Sequence, residues 1–181
     1  NLPYYFYSLK SIILKNNNDF NICIIDDSTI CKLLDRNEFD YNLDALPEPR
    51  KNIIRLLGLT KLVYKFGGLV IPPSFIAFTS FNNINSIIEN NILIFGENKN
   101  SSISFNKYPY VPSCEFFASK KNNEDLNNFI EYLDNLVKND YTAENAFVGN
   151  INNYLLNQLR KHKIAIINAE YLGIKDNKNQ D

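Results

Sequence analysis

The sequence predicts an α/β domain built on a mostly parallel sheet with helices on both faces. Three observations lead there. Short apolar runs rich in β-branched residues alternate along the chain with segments of helical periodicity. The apolar runs show little polar alternation, so a sheet made from them needs cover on both sides. At 181 residues, 45% of them hydrophobic, the chain has the size and the material for one domain with a sizeable core.

Each element follows from local pattern. Residues 8–15 carry Leu9, Ile12 and Ile13 at helical spacing, with Ser8 in the N-cap position, and FNICII (20–25) follows as a first strand. Asp27 or Ser28 suits the cap of a helix beginning near Thr29. Residues 49–66 set Ile53, Ile54, Leu57, Leu62 and Phe66 on one helical face, and Gly67-Gly68 supply the stop. A short strand at 69–71 comes next. NILIF (91–95) and CEFFAS (114–119) read as strands, 124–138 and 142–161 as helices, and IAII (164–167) as a last strand. The Asn-rich residues 98–107 read as a surface loop.

Composition narrows the function classes. Nineteen Lys and Arg stand against 20 Asp and Glu, a formal charge of -1 without a basic block, so no electrostatic footprint for nucleic acid is present. The longest apolar runs fall far short of the roughly 20 residues that a membrane helix needs, and no secretory signal pattern opens the chain. Cys23, Cys31 and Cys114 form no CxxC pair and none lies near the single histidine, His162, which argues against a disulfide framework or a zinc site and for reduced thiols in a cytosol-like compartment. With no methionine and an immediate apolar stretch, LPYYFY, the 181 residues read as one domain, a fragment of a longer chain. Heavy use of Asn, Lys and Ile is what an AT-rich genome encodes.

In α/β sheets ligands gather at the carboxyl ends of strands, so the residues just after each strand are the ones to question. Asp26 and Asp27 follow the first strand, where two carboxylates could hold a cation or accept hydrogen bonds from sugar hydroxyls; helix capping explains them equally well. Pro72, Pro73 and Ser74 follow the second. The prolines lack a backbone N–H and none of the three side chains is a carboxylate, so no divalent ion is expected there. Glu115, on the CEFFAS strand, faces either an acceptor or solvent. His162 suits the end of a helix, and Tyr4, Tyr5 and Tyr7 suit core or interface packing more than sugar stacking. FGGL and FGEN lack the spacing of a phosphate loop.

NICIIDDSTICKLL, RLLGLTKLVYKFGGLVIPPSFIAFTSFNNI, CEFFASKKNNEDLNNFIEYLDNL, TAENAFVGNINNYL and IAIINAEYLGI, in this order and spacing, resemble the glycosyltransferase family with the DXD sugar-binding region. The resemblance covers most of the chain and implies a Rossmann-like fold of the GT-A type. In that family two glycines precede an Asp-X-Asp whose aspartates bind manganese or magnesium and, through it, the diphosphate of a sugar nucleotide. Gly67 and Gly68 match the glycine pair. Val70 replaces the usual tyrosine, and Pro72 and Ser74 stand in place of the aspartates. The family's Asp-X-X-Arg on the preceding helix falls on Leu56 and Leu59, and Arg55 and Lys61 are not equivalent replacements because a helix turns about 100° per residue. Sequences ending in GGLVIPPSF are similar to glycosyltransferase-like proteins of large DNA viruses.

The resemblance therefore implies a degenerate donor site and no metal cofactor. It points to a non-catalytic scaffold or interaction module, cytoplasmic or virion-associated, with a protein partner or self-assembly. The alternative is a metal-independent glycosyltransferase that takes a nucleotide sugar and uses Arg55, Lys61 or Lys65 in place of the ion. Asp26, Asp27, Lys61, Ser74 and Glu115 are the candidate binding residues. A pocket lined by Asp26, Asp27 and a Lys or Arg would favour the enzyme; one filled by Leu56, Leu59 and Pro72 would favour the scaffold. Retention of the acceptor side alone, as a sugar-binding module, is a third reading.

Overall fold

The structure is a computed structural model describing residues 2–16, 19–90, 92–100, 108–139 and 144–175. In chain order the elements are α1 (Leu2–Asn16), α2 (Asp27–Leu33), a single 3-10 turn (Leu43–Ala45), α3 (Glu48–Phe66), β1 (Gly68–Val70), α4 (Asn82–Glu89), β2 (Leu93–Lys99), β3 (Tyr110–Ser119), α5 (Glu124–Asn139), α6 (Glu144–Arg160) and β4 (Ile164–Ile167). Asn91, residues 101–107 of the expected loop and residues 142–143 of the expected last helix lie outside the described residues.

The four strands form one sheet in the order β1-β3-β2-β4. β3 pairs antiparallel with both β1 and β2, and only β2 and β4 run parallel. The expectation of a mostly parallel sheet is thus corrected to a mixed, mostly antiparallel one. What the apolar runs encode is cover on both faces, and that part holds. On one face Leu93, Phe95 and Phe117 pack against Leu57 of α3, Phe129 of α5 and Leu155 of α6. On the other, Ile94 and Ala118 meet Ile84 and Ile88 of α4. Two-sided burial makes a strand apolar throughout whichever way its neighbour runs, so the pattern carries no information about direction.

A second correction concerns residues 20–25, which join no ladder. A strand exists only with a neighbour to take its backbone bonds. The inner edge of β1 is taken by β3, and a cavity lined by both segments separates β1 from residues 20–23. Ile24 is 73% exposed.

Helix α1 starts six residues earlier than expected. Ser8 lies inside it, its Oγ donating to the Tyr4 carbonyl at 3.1 Å rather than capping. Tyr4, Tyr5 and Tyr7 are exposed and do not belong to the core. The far end of α1 is anchored by two polar contacts: the Asn16 side-chain Oδ1 accepts from Phe81 N at 2.7 Å, and Ser11 Oγ accepts from Ala77 N at 2.9 Å. Helix α4 was not expected, although Ile84, Ile87 and Ile88 have helical spacing. β2 and β3 are longer than their apolar runs because their outer halves carry polar residues.

Two backbone features shape the region that follows α3. Gly67 (φ 74, ψ 175) ends the helix, its N–H donating to the Val63 carbonyl at 2.8 Å, and Gly68 (φ 126) begins β1. Beyond β1, Phe75 N donates to the Pro72 carbonyl at 3.0 Å, closing a turn over Pro73 and Ser74. Opposite this turn the β2–β3 register jumps: Phe95 pairs with Phe117, but Gly96 pairs with Ser113. Residues 114–116 are therefore bulged out of the ladder, and such a bulge redirects side chains.

Candidate functional site

The turn and the bulge enclose a cleft of about 380 Å³. Pro72, Ser74 and Phe75 form one wall, Gly96, Glu97 and Asn98 of β2 the floor, and Glu115 and Phe116 of the bulge another wall. Ser74 and Glu115, two candidates far apart in sequence, are brought together here. Phe75 stacks at a tilt on Phe116, with centroids 5.7 Å apart, and Phe78 stands at the rim 83% exposed. The chain after β4 closes the cleft with Leu172, Gly173 and Ile174. Glu97 fixes that segment by accepting from Ala169 N at 3.0 Å, and Lys175 Nζ lies 3.7 Å from the same carboxylate oxygen.

Two carboxylates, one amide and two hydroxyls (Ser74 and Ser113) set among aromatic rings suit a neutral polyhydroxylated ligand, whose hydroxyls donate to carboxylates while its apolar faces lie on the rings. Among the described residues no Lys, Arg or His lines the cleft. Among the described residues no three His, Cys, Asp or Glu side chains converge as metal ligands.

The other candidates lie elsewhere and are occupied. Asp26, rather than Asp27 or Ser28, caps α2: one carboxylate oxygen accepts from Thr29 N at 2.7 Å, Thr29 Oγ1 at 2.6 Å and Ser28 Oγ at 3.0 Å. Hydrogen bonds from Thr29 hold its carboxyl down at about 2. Asp27 receives Arg55 in a two-pronged pair, Nε at 2.7 Å and Nη2 at 2.8 Å, and the bond from Arg55 lowers its pKa. Lys61 Nζ donates to the Glu38 carbonyl at 2.6 Å, and Lys65 Nζ to the Glu38 carboxylate at 2.7 Å. These three cations of the five on α3 thus clamp α2 and the loop behind it. Leu56 packs against the core, Leu59 lines the charge-free cavity beside β1, and Pro72 lines the cleft. His162 sits exposed just past α6 at φ 55, its N–H donating to the Leu159 carbonyl at 3.0 Å, as expected of a helix end. Cys23 and Cys31 are exposed free thiols, and burial pushes the Cys114 thiol up to about 12.

The Asp27–Arg55 pair sets a pH-dependent prediction. Because the carboxyl is lowered from 3.8 in the folded state, its contribution is present above that value and fades as the pH falls through the lower, folded one. Both side chains keep about a third of their exposure, which screens the pair. Arg55→Met should cost about 1 kcal/mol at pH 7, with the difference from the parent shrinking below pH 3.8. Urea unfolding at pH 7 and pH 3 checks this; an equal loss at both would assign the cost to packing.

Glu97, Asn98 and Phe78 are site residues that sequence reasoning did not single out. The signal was there for two of them, since Glu97 and Asn98 directly follow the apolar run ILIFG, the same position relative to a strand that singled out Asp26. Phe78 carries none, because its exposure depends on the turn at Pro72. No family model, curated protein or solved structure matches this chain.

Proposed function

We propose that the chain is a degenerate glycosyltransferase-like domain that binds rather than transfers, a scaffold or interaction module whose sugar-nucleotide donor site has lost its chemistry. The observation that carries this reading is the distribution of charge. A sugar nucleotide brings a diphosphate, and the cleft beside Pro72 and Ser74 offers it the exposed Glu115 and a Glu97 already paired with Lys175, with no cation among the described lining residues. Like charges disfavour that ligand. Arg55, Lys61 and Lys65, the side chains able to replace a metal, are engaged with Asp27 and Glu38. A cation at the leaving diphosphate supplies several kcal/mol of transition-state stabilisation, and each ~1.4 kcal/mol is tenfold in rate. Without it useful turnover is lost.

A second reading, a metal-independent glycosyltransferase, is favoured by one feature: the exposed Glu115 at the cleft is a carboxylate able to take a proton from an acceptor hydroxyl. Calorimetry with UDP- and GDP-sugars, with and without manganese, separates the two. The expected result is no binding tighter than about 1 mM (about -4 kcal/mol) under either condition. Hydrolysis of, or transfer from, any of these donors without manganese would establish the second reading instead.

A further inference from the structure

The cavity beside β1, about 430 Å³, has a form that identifies what fits it. Gly68, Leu69, Val70 and Ile71 all line it, consecutive residues whose side chains point alternately to opposite faces of the sheet. A cavity on one face of a strand touches every second residue; a cavity touching all of them lies at the strand's edge, in the plane of the sheet. The opposite wall, Phe20, Asn21, Ile22 and Cys23, is likewise an unbroken run. Leu59, Leu62 and Val63 of α3 cover the gap on one side, and Ile12 of α1 with Phe81 covers it on the other.

Part of the main chain at each wall has no backbone partner among the described residues, Phe20 N excepted, which donates to the Asn16 carbonyl at 3.0 Å. β1 is the edge of the sheet and pairs only with β3, while residues 21–25 make no backbone–backbone hydrogen bond to another described segment. An open strand edge is a template for another strand. We propose that this gap is a docking groove for one β-strand of a partner polypeptide, which pairs with the free edge of β1 and extends the sheet toward residues 20–25. Among the described residues the walls carry no charged side chain, so a charged occupant would be desolvated without compensation. Its side chains alternate between α3 and the Ile12–Phe81 side, both apolar, so the strand is apolar at four or five successive positions rather than at every second one. A lipid tail would match the apolar covers but leave the backbone groups of both walls unpaired, which makes a peptide the better complement. The inference deepens the interaction-module reading by naming a partner chemistry, and its geometry is independent of the cleft.

The test uses a peptide of five alternating valine and isoleucine residues between lysine pairs, alongside the same peptide with N-methylated backbone amides, which keeps the apolar surface and removes the donors. The expected result is saturable binding of the first, with at least tenfold slower exchange at those amides among Leu69, Val70 and Ile71 that point away from β3, and at least tenfold weaker binding of the second. Cys23→Trp, which fills the gap from an exposed position, should abolish both effects while leaving the circular dichroism spectrum unchanged. Equal binding of the two peptides, or of a fatty acid with no amide protection, would overturn the proposal in favour of a generic apolar ligand. Protection that rises with protein concentration in the absence of peptide would replace the partner by a second copy of the chain. Failure of the peptide leaves the sugar-nucleotide result standing, and turnover of a sugar nucleotide leaves the groove standing.

Discussion

Replacing Phe117 by alanine should cost about 3–5 kcal/mol, a large share of the roughly 5–15 kcal/mol that holds a domain folded. Phe117 sits on the central strand β3, opposite Val70 on one side and Phe95 on the other, and is fully buried. Its ring stacks on Phe95 at 5.9 Å, and Phe95 in turn meets the edge of Phe129 at 5.7 Å, so one side chain links sheet to helix α5. Truncation opens a cavity that three elements border, and the rigid ladder on both sides prevents collapse into it. Phe117→Leu, which keeps most of the volume, should cost less than half as much. Phe78→Ala, at an exposed ring, should stay within about 0.5 kcal/mol. Urea midpoints for the three variants check the order, and a Phe78 loss equal to that of Phe117 would show that the core is not organised around β3.

How much of this was legible in the sequence depends on which physical signal each element carries. Helices α3, α5 and α6 were legible because a buried stripe repeats along them and glycine marks the end of α3. β4 was legible as a four-residue apolar run. The direction of β3 was not, because two-sided burial leaves the same pattern in parallel and antiparallel ladders. Residues 20–25 differ from expectation for a related reason: FNICII has the composition of a strand, but a ladder is a property of two segments and composition describes one. The cleft was partly legible. Ser74 and Glu115 were singled out separately, yet nothing local reveals that a three-residue slip between Phe95 and Gly96 swings Glu115 toward the turn at Pro72. Asp26, Asp27 and Lys61 illustrate the opposite outcome. Their residue types fit binding chemistry, and the structure engages them as a helix cap, an interhelical ion pair and a clamp from α3 onto the loop after α2.

The glycine pair that precedes Pro72 has a backbone role of its own, which is why a glycine motif can stand before a turn that carries no carboxylate. Gly67→Ala should destabilise the fold by about 1–3 kcal/mol, because φ 74 with ψ 175 is a conformation that essentially only glycine adopts. A second term adds to the strain. A Cβ at Gly67 would lie 3.0 Å from Lys121 N, a backbone atom whose position is fixed next door by Asn122 N donating to the Tyr64 carbonyl at 2.8 Å. Gly68→Ala meets open space and carries only the backbone penalty of φ 126, so it should cost less than Gly67→Ala. Gly149→Ala, in the interior of α6 with nothing within 4 Å, should instead stabilise by about 0.5–1 kcal/mol through helix propensity. The pair is therefore required to turn α3 into β1 whether or not any ligand binds beyond it. If thermal or urea unfolding finds Gly67→Ala neutral, the helix does not end in this geometry, and the positions assigned to Pro72 and Ser74 around the cleft would have to be redrawn.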